Sequence, residues 1–283
     1  MSRQSKVTSL ALALVLGAPV VGGAAVANAQ VYRPGETSPG TQAPRNEEIL
    51  QVLERGAPDE IYATLEYAER VECQRCMPVV ERNLYSPNAR VREISAWWLR
   101  RRIFGFAIVF TRAVRTLRDT TATPERRSYA ADALGEFMDR NAVPVLSEAF
   151  GSADAVVRAS IVRALGRLNQ TTGYATIVSA LGDTDANVRR EALAAIPVLN
   201  FFRQTDALLP LVADADDVVR RRATLLLADY GVEEAVDPLI TVLNGDASRD
   251  VRQAAAFALG RLGGSAAREA LRSAQTTESD SLV

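Results

Sequence analysis

The chain has 283 residues, 48% hydrophobic and 24% charged, which is a globular mixture, and its 33 basic and 34 acidic residues exclude a polycation built to coat nucleic acid. It contains no histidine, which excludes Ser-His-Asp and Cys-His catalysis, His-ligated zinc or iron, and covalent haem attachment. Its one lysine, Lys6, lies in a segment read below as a leader, so lysine Schiff-base chemistry is excluded for a form lacking that segment.

Arg3 and Lys6 precede an apolar run from Val7 to Ala25, and Ala27-Asn28-Ala29 follows. A basic start, an apolar middle and an A-x-A site predict a signal peptide over 1–29, cleaved after Ala29, with a retained anchor as the alternative. The mature chain is then exported, to the periplasm or the medium, with no further segment apolar enough to span a bilayer. Residues 30–45 are rich in proline and glycine and predict a flexible linker. The folded body is expected over 46–273, and 274–283 as a disordered tail.

The body repeats. Arg92, Arg127, Arg158, Arg189, Arg220 and Arg252 are separated by 35, 31, 31, 31 and 32 residues. Four positions before each stands a good helix N-cap: Asn88, Thr123, Asp154, Asp185, Asp216 or Ser248. Seven positions after each stands Leu99, Leu134, Leu165, Ile196, Leu227 or Leu259, and in four units an alanine precedes it (Ala133, Ala164, Ala195, Ala258). A large anchor beside a small residue lets a neighbouring helix approach closely. A second helix follows, often with proline near its start (Pro144, Pro210, Pro238). Two short helices cannot close a core alone, but stacked copies can.

Stretches such as Asp185-Ala-Asn-Val-Arg-Arg-Glu-Ala-Leu and Val251-Arg-Gln-Ala-Ala-Ala-Phe-Ala-Leu-Gly resemble short HEAT repeats of the phycobilisome-lyase-like kind. The resemblance covers 88–273, and Met77-Pro78-Val79-Val80 extends the array back to about residue 47. It implies an all-α, right-handed α-solenoid of about six to seven two-helix repeats. It also implies a polar ladder between the marked arginines and the cap aspartates, and a concave wall made by the second helices. Some relatives are enzymes, but the His-Glu iron pairs of the deoxyhypusine hydroxylases have no counterpart here, and a cytoplasmic bilin lyase conflicts with the leader.

The first marked unit departs from the pattern. It carries Trp98, preceded by Trp97, where alanine recurs, and Arg100, followed by Arg101 and Arg102, where glycine recurs. One tryptophan is expected in the core and the other in a groove. The next helix, Phe106 to Arg118, directs Phe106, Phe110, Ala113 and Leu117 to the core and Arg112, Arg115 and Arg118 elsewhere. Residues 90–127 hold ten arginines against Glu93, Asp119 and Glu125, a local charge of +7. That asymmetry suggests an anion-facing end, against the alternative of a solvated arginine-rich face.

Cys73 and Cys76 form a C-x-x-C at a turn, which in an exported chain predicts a structural disulfide. A thiol–disulfide enzyme is the rival, without the βαβ context such a motif needs. No metal site or cofactor is expected. The reading is a non-catalytic exported scaffold that binds a protein or peptide, possibly anionic, on its concave face. Its candidate site is Trp97, Trp98, Arg100, Arg101, Arg112, Arg115 and Arg118. The other alternative is an envelope-associated protein that holds anionic groups through its arginine-rich repeat.

Overall fold

The computed structural model describes residues 45–151, 153–277 and 283. The leader, the linker before Arg45 and residues 278–282 of the expected tail lie outside the described residues. Residues 43–283 form a compact unit of their own.

Helix α1 (Asn46–Arg55) precedes seven helix pairs. These are α2 (Pro58–Tyr67) with α3 (Met77–Asn83), α4 (Ala89–Leu99) with α5 (Phe106–Arg118), and α6 (Pro124–Glu136) with α7 (Ala142–Phe150). Then come α8 (Ala155–Leu168) with α9 (Tyr174–Ala180), and α10 (Ala186–Ala195) with a 3₁₀ helix (Thr205–Ala213). Last are α11 (Asp217–Asp229) with α12 (Val236–Gly245), and α13 (Arg249–Leu262) with α14 (Gly264–Thr277). Among the described residues there is no strand. This is the all-α solenoid that the repeat implies.

Helix starts follow from the caps. Asn88, Thr123, Asp154, Asp185, Asp216 and Ser248 occupy the N-cap positions of α4, α6, α8, α10, α11 and α13. Four of them accept a first-turn N–H with their side chains, for example Asn88 from Val91 and Asp216 from Val219. Pro210 behaves differently from the other second-helix prolines: it lies inside its element, and that element is 3₁₀. A proline there cannot donate to the carbonyl four residues back and its ring crowds that carbonyl, which disfavours the α register. Helix α14 runs to Thr277, four residues beyond the expected end of the body, because Ala274 continues the stripe of Ala267, Ala270 and Leu271 against the core.

One apolar seam runs from Ile49 to Ala267. The six anchors Leu99, Leu134, Leu165, Ile196, Leu227 and Leu259 are all buried in it. Successive first helices pack more extensively on the whole, above all α6 with α8, α8 with α10 and α11 with α13, than successive second helices do. Small residues permit this. A Cβ on Gly135 would fall 2.7 Å from Ala164 Cα, and one on Gly166 would fall 2.8 Å from Ala195 Cβ. A row whose members are closer on one side bends toward that side, so the first helices form the concave wall. This reverses the expectation that the second helices would.

Gly260 holds the same register in α13, but among the described residues no further first helix packs on it, and a Cβ there would meet nothing within 4 Å. Equivalent substitutions should therefore have opposite signs. Gly135→Ala should destabilise by about 1–3 kcal/mol through overpacking, while Gly260→Ala should be neutral or stabilise by up to about 1 kcal/mol. Thermal denaturation of the two variants checks this, and equal shifts would remove the packing argument.

Candidate functional site

Three of the six marked arginines build a ladder, with a partner one step away from the one expected. Arg158 donates to both oxygens of Asp183 at 2.6 and 2.7 Å, and Arg220 to both of Asp246 at 2.7 and 2.9 Å. Arg189 reaches Asp214 at 2.6 Å. Each of these aspartates lies two residues before the cap of the next first helix. Each also accepts that cap residue's backbone N–H: Asp185 to Asp183, Asp216 to Asp214 and Ser248 to Asp246. Two of the cap aspartates expected in this role are committed elsewhere, since Asp185 accepts first-turn N–H groups and Asp216 accepts those and Arg190. The signal was present in the sequence as Asp183, Asp214 and Asp246, spaced like the arginines.

Nine of the ten arginines between 90 and 127 also have partners. Arg90 pairs with Asp59 at 2.6 Å and lies over Tyr62. Arg92 donates to Ser86 O at 2.9 Å and Arg127 to Leu117 O at 2.9 Å. Arg100 donates to Glu136 O at 2.8 Å, and burial holds its pKa below the ordinary arginine value. Arg101 pairs with Glu69 at 2.9 Å and covers the Trp97 ring. Arg102 is buried under carbonyls of Trp98, Val71 and Glu69. Arg112 pairs with Glu81 of α3, Arg118 with Glu148 of α7, and Arg126 lies over Tyr85. Of these ten, all among the described residues, Arg115 alone has no partner for its side chain. Half of the window's ten arginines are thus paired with acids that stand outside it, on neighbouring repeats.

The structure divides the candidate residues. Trp98 is fully buried, with its indole N–H donated to Ala68 O at 3.0 Å, and belongs to the core. Trp97 is half-buried and lines a cavity of about 210 Å³ with Tyr62, Glu66, Glu93, Ile94, Arg100 and Glu136. Arg115 and Arg118 instead line a shallow depression on α5 with Thr111, Val114 and Asp119. The two groups line different depressions.

The Trp97 cavity does not stand alone. Glu93 and Glu136 also line a cavity of about 250 Å³ with Arg92, Asp132, Arg163 and Arg167. Arg163 and Arg167 in turn line a third, of about 310 Å³, with Glu191, Ala194 and Val198. Together they make one groove along the first helices α2 to α10. Its charges interlock: Arg163 bridges Asp132 and Glu191 at 2.9 Å each, and Arg167 meets Glu136 at 2.6 Å. Burial raises the carboxyls of Asp132 and Glu136 above their ordinary values, against the pull of Arg163 and Arg167. Sequence reasoning missed Asp132, Arg163 and Glu191, because no one repeat holds the cluster. The periodic signal was their placement on successive first helices.

Cys73 and Cys76 lie beneath α1 and α3 with their sulfurs 1.96 Å apart and Cα atoms 5.2 Å apart. Both residues are buried, at 1% and 0% exposure.

HEAT repeats as a family match residues 113–197 and 205–283, more than half of the chain. No curated protein matches it. Among solved structures, the X-ray structure of YibA from E. coli is similar at a TM-score of 0.57 and 16% identity, over 84% of this chain and 88% of that one. At that identity the likeness bears on the fold alone. The CpcE–CpcF complex of phycocyanin lyase from Nostoc sp. PCC7120 matches at 17% identity and a TM-score of 0.39, over 85% and 97% of the two chains. Human deoxyhypusine hydroxylase in complex with glycerol matches at 19% and 0.35, over 82% and 90%.

The ladder makes stability pH-dependent. Burial alone would raise Asp183 and Asp246, but Arg158 and Arg220 outweigh it and hold both carboxyls below the ordinary aspartate value. A lowered folded pKa adds stability that is present above the unfolded value and lost as pH falls through the folded one. Asp183→Asn and Asp246→Asn should thus be less stable than wild type at neutral pH. The gap should close as pH drops below about 3.9, the ordinary aspartate pKa. Urea unfolding across that range checks it, and a constant gap would separate these pairs from acid denaturation.

Proposed function

The chain belongs to the HEAT-repeat family, and on that premise we propose that it is a non-catalytic exported scaffold that binds a protein or peptide along its first helices. The continuous groove from Trp97 to Val198 carries this reading. Five first helices at 8–10 Å spacing give a trough of roughly 35 Å, enough for about ten residues of extended chain. Trp97 is the apolar anchor: a large, half-buried ring already fixed by Arg101 loses little freedom on binding. Because the groove's arginines are already engaged while Glu66 and Glu93 have no ion-pair partner among the described residues, it favours a partner that offers peptide hydrogen bonds and both signs of charge over a polyanion. The row Arg112, Arg115 and Arg118 lies outside this groove and is not assigned to it.

The same reading takes Cys73 and Cys76 as a structural disulfide, which would pin the α2–α3 turn with about 2 kcal/mol on loop-entropy grounds. The rival thiol–disulfide enzyme requires an attacking sulfur open to its substrate, and the burial of both cysteines speaks against it. Export rests on the leader of residues 1–29. No helix among the described residues is long and apolar enough to cross a membrane.

A photo-crosslinking residue at the exposed groove position Glu93 should trap a partner from the envelope fraction, whereas one at Arg115 should not. Trp97→Ala should weaken that partner about thirtyfold, in line with a loss of about 2 kcal/mol at an anchor, and leave the melting transition in place. Equal trapping at both positions, or unchanged affinity, would overturn the groove as the binding face. For the cysteines, the untreated protein should yield Cys73 and Cys76 as one linked peptide and show no insulin reduction. Measurable turnover would restore the enzyme reading.

A further inference from the structure

The largest exposed apolar residues are not in the groove. Ile103 and Phe104 are 86% and 73% exposed, on the turn between α4 and α5. Ile108, in the first turns of α5, is 57% exposed, and Met138, on the neighbouring α6–α7 turn, is 54% exposed. Beneath them Phe106, Phe110 and Phe137 form a ring cluster with centroids 5.2 to 6.4 Å apart, which ties the two turns into one patch. Farther along, Phe201 is 65% exposed on the turn that follows α10, at the corresponding place in a later repeat. Core packing explains none of them, and exposed apolar clusters of this kind mark interaction surfaces.

The rim of the patch is basic. Arg70 lies in the turn whose carbonyls Glu69 O and Val71 O hold Arg102, so it stands beside the α4–α5 turn. Arg75 is two residues before Met77, whose Cε would lie 2.9 Å from a Cβ on Gly105. Arg140 is two residues past Met138. Among the described residues, the side chains of these three exposed arginines have no partner. The nearby acids are already engaged: Glu69 and Glu72 by Arg101 and Arg102, and Asp139 by the Asn141 N–H.

We propose that this turn edge docks on an anionic lipid surface, with Ile103 and Phe104 inserted among the acyl chains and Arg70, Arg75 and Arg140 at the headgroup phosphates. The geometry favours a membrane over a protein. Ile103, Phe104 and Met138 project from turns and line none of the cavities described above, so a partner must close around them, as a fluid hydrocarbon layer does. Equivalent turns of a stacked array lie along one edge, which suits a planar partner. Insertion of apolar side chains together with a basic rim is the usual pair of signals for reversible membrane contact. This contact uses other residues than the groove, so either proposal can fail without the other.

The test uses residues 43–283, a compact unit with its own core, so that the apolar run Val7–Ala25 cannot contribute. Flotation compares phosphatidylcholine vesicles with vesicles containing about one-third phosphatidylglycerol. Wild type should float with the anionic vesicles and less with neutral ones. Ile103→Ser with Phe104→Ser should lower partitioning about tenfold or more, with unchanged melting. Arg75→Glu with Arg140→Glu should lower it about tenfold and flatten its salt dependence. Absence of flotation at low salt, or flotation indifferent to the Ile103 and Phe104 changes, would overturn the proposal. So would a concentration-dependent dimer in sedimentation that the same double change dissolves, since the patch would then be covered by a second copy.

Discussion

The approach of one first helix to the next through small side chains is the constraint on which the rest of the structure depends. Gly135 against Ala164, and Gly166 against Ala195, leave no room for a methyl group between backbones. That spacing seals the apolar seam, because neither helix pair could bury its anchor leucine without the next. It also shortens one side of the array. The curvature places Trp97, Asp132, Arg163 and Glu191 along one trough, so the groove follows from packing and not from any residue selected to make it.

Charge in this protein balances between repeats and not within them. The Asp183, Asp214 and Asp246 carboxylates each join an arginine of the preceding first helix to the start of the following one, and so set the distance between successive units. Arginine suits the task because its planar fork grips both carboxylate oxygens while a remaining N–H serves a loop carbonyl. Arg158 and Arg220 each do this, the latter at Asp214 O. These pairs are mostly shielded, with aspartate side chains at 7–8% exposure, so losing one partner leaves a poorly hydrated charge behind. Pairing over about thirty residues also explains why a sequence window sees only arginines: Glu69, Glu81 and Glu148 stand just beyond its ends.

Features with a period were legible in the sequence, and features set by contact were not. Caps, anchors and the α5 boundaries at Phe106 and Arg118 emerged from spacing alone, since each is fixed by its own helix. The split between Trp97 and Trp98 could also be anticipated: adjacent helical positions differ by about 100°, so both cannot face the core. Which of them is buried depends on Ala68 O, thirty residues earlier, waiting as an acceptor. The concave side was misassigned because proline and apolar spacing describe each helix singly, whereas curvature depends on the difference between two rows of contacts. Arg112 and Arg118 looked free for the same reason, their partners lying in α3 and α7.

Stacking leaves different freedoms on different surfaces. Along the groove, side chains one repeat apart must pair or clear one another, and this yields a polar, interlocked floor suited to an adaptable chain. At the turns between first and second helices no neighbour imposes such a condition. A polar residue at Ile103 or Phe104 would leave the seam intact and keep apolar surface out of water, so the fold gives no reason for either side chain. Their presence, with unpaired arginines around them, is a feature that the stacking physics does not require and that a contact outside the chain would explain.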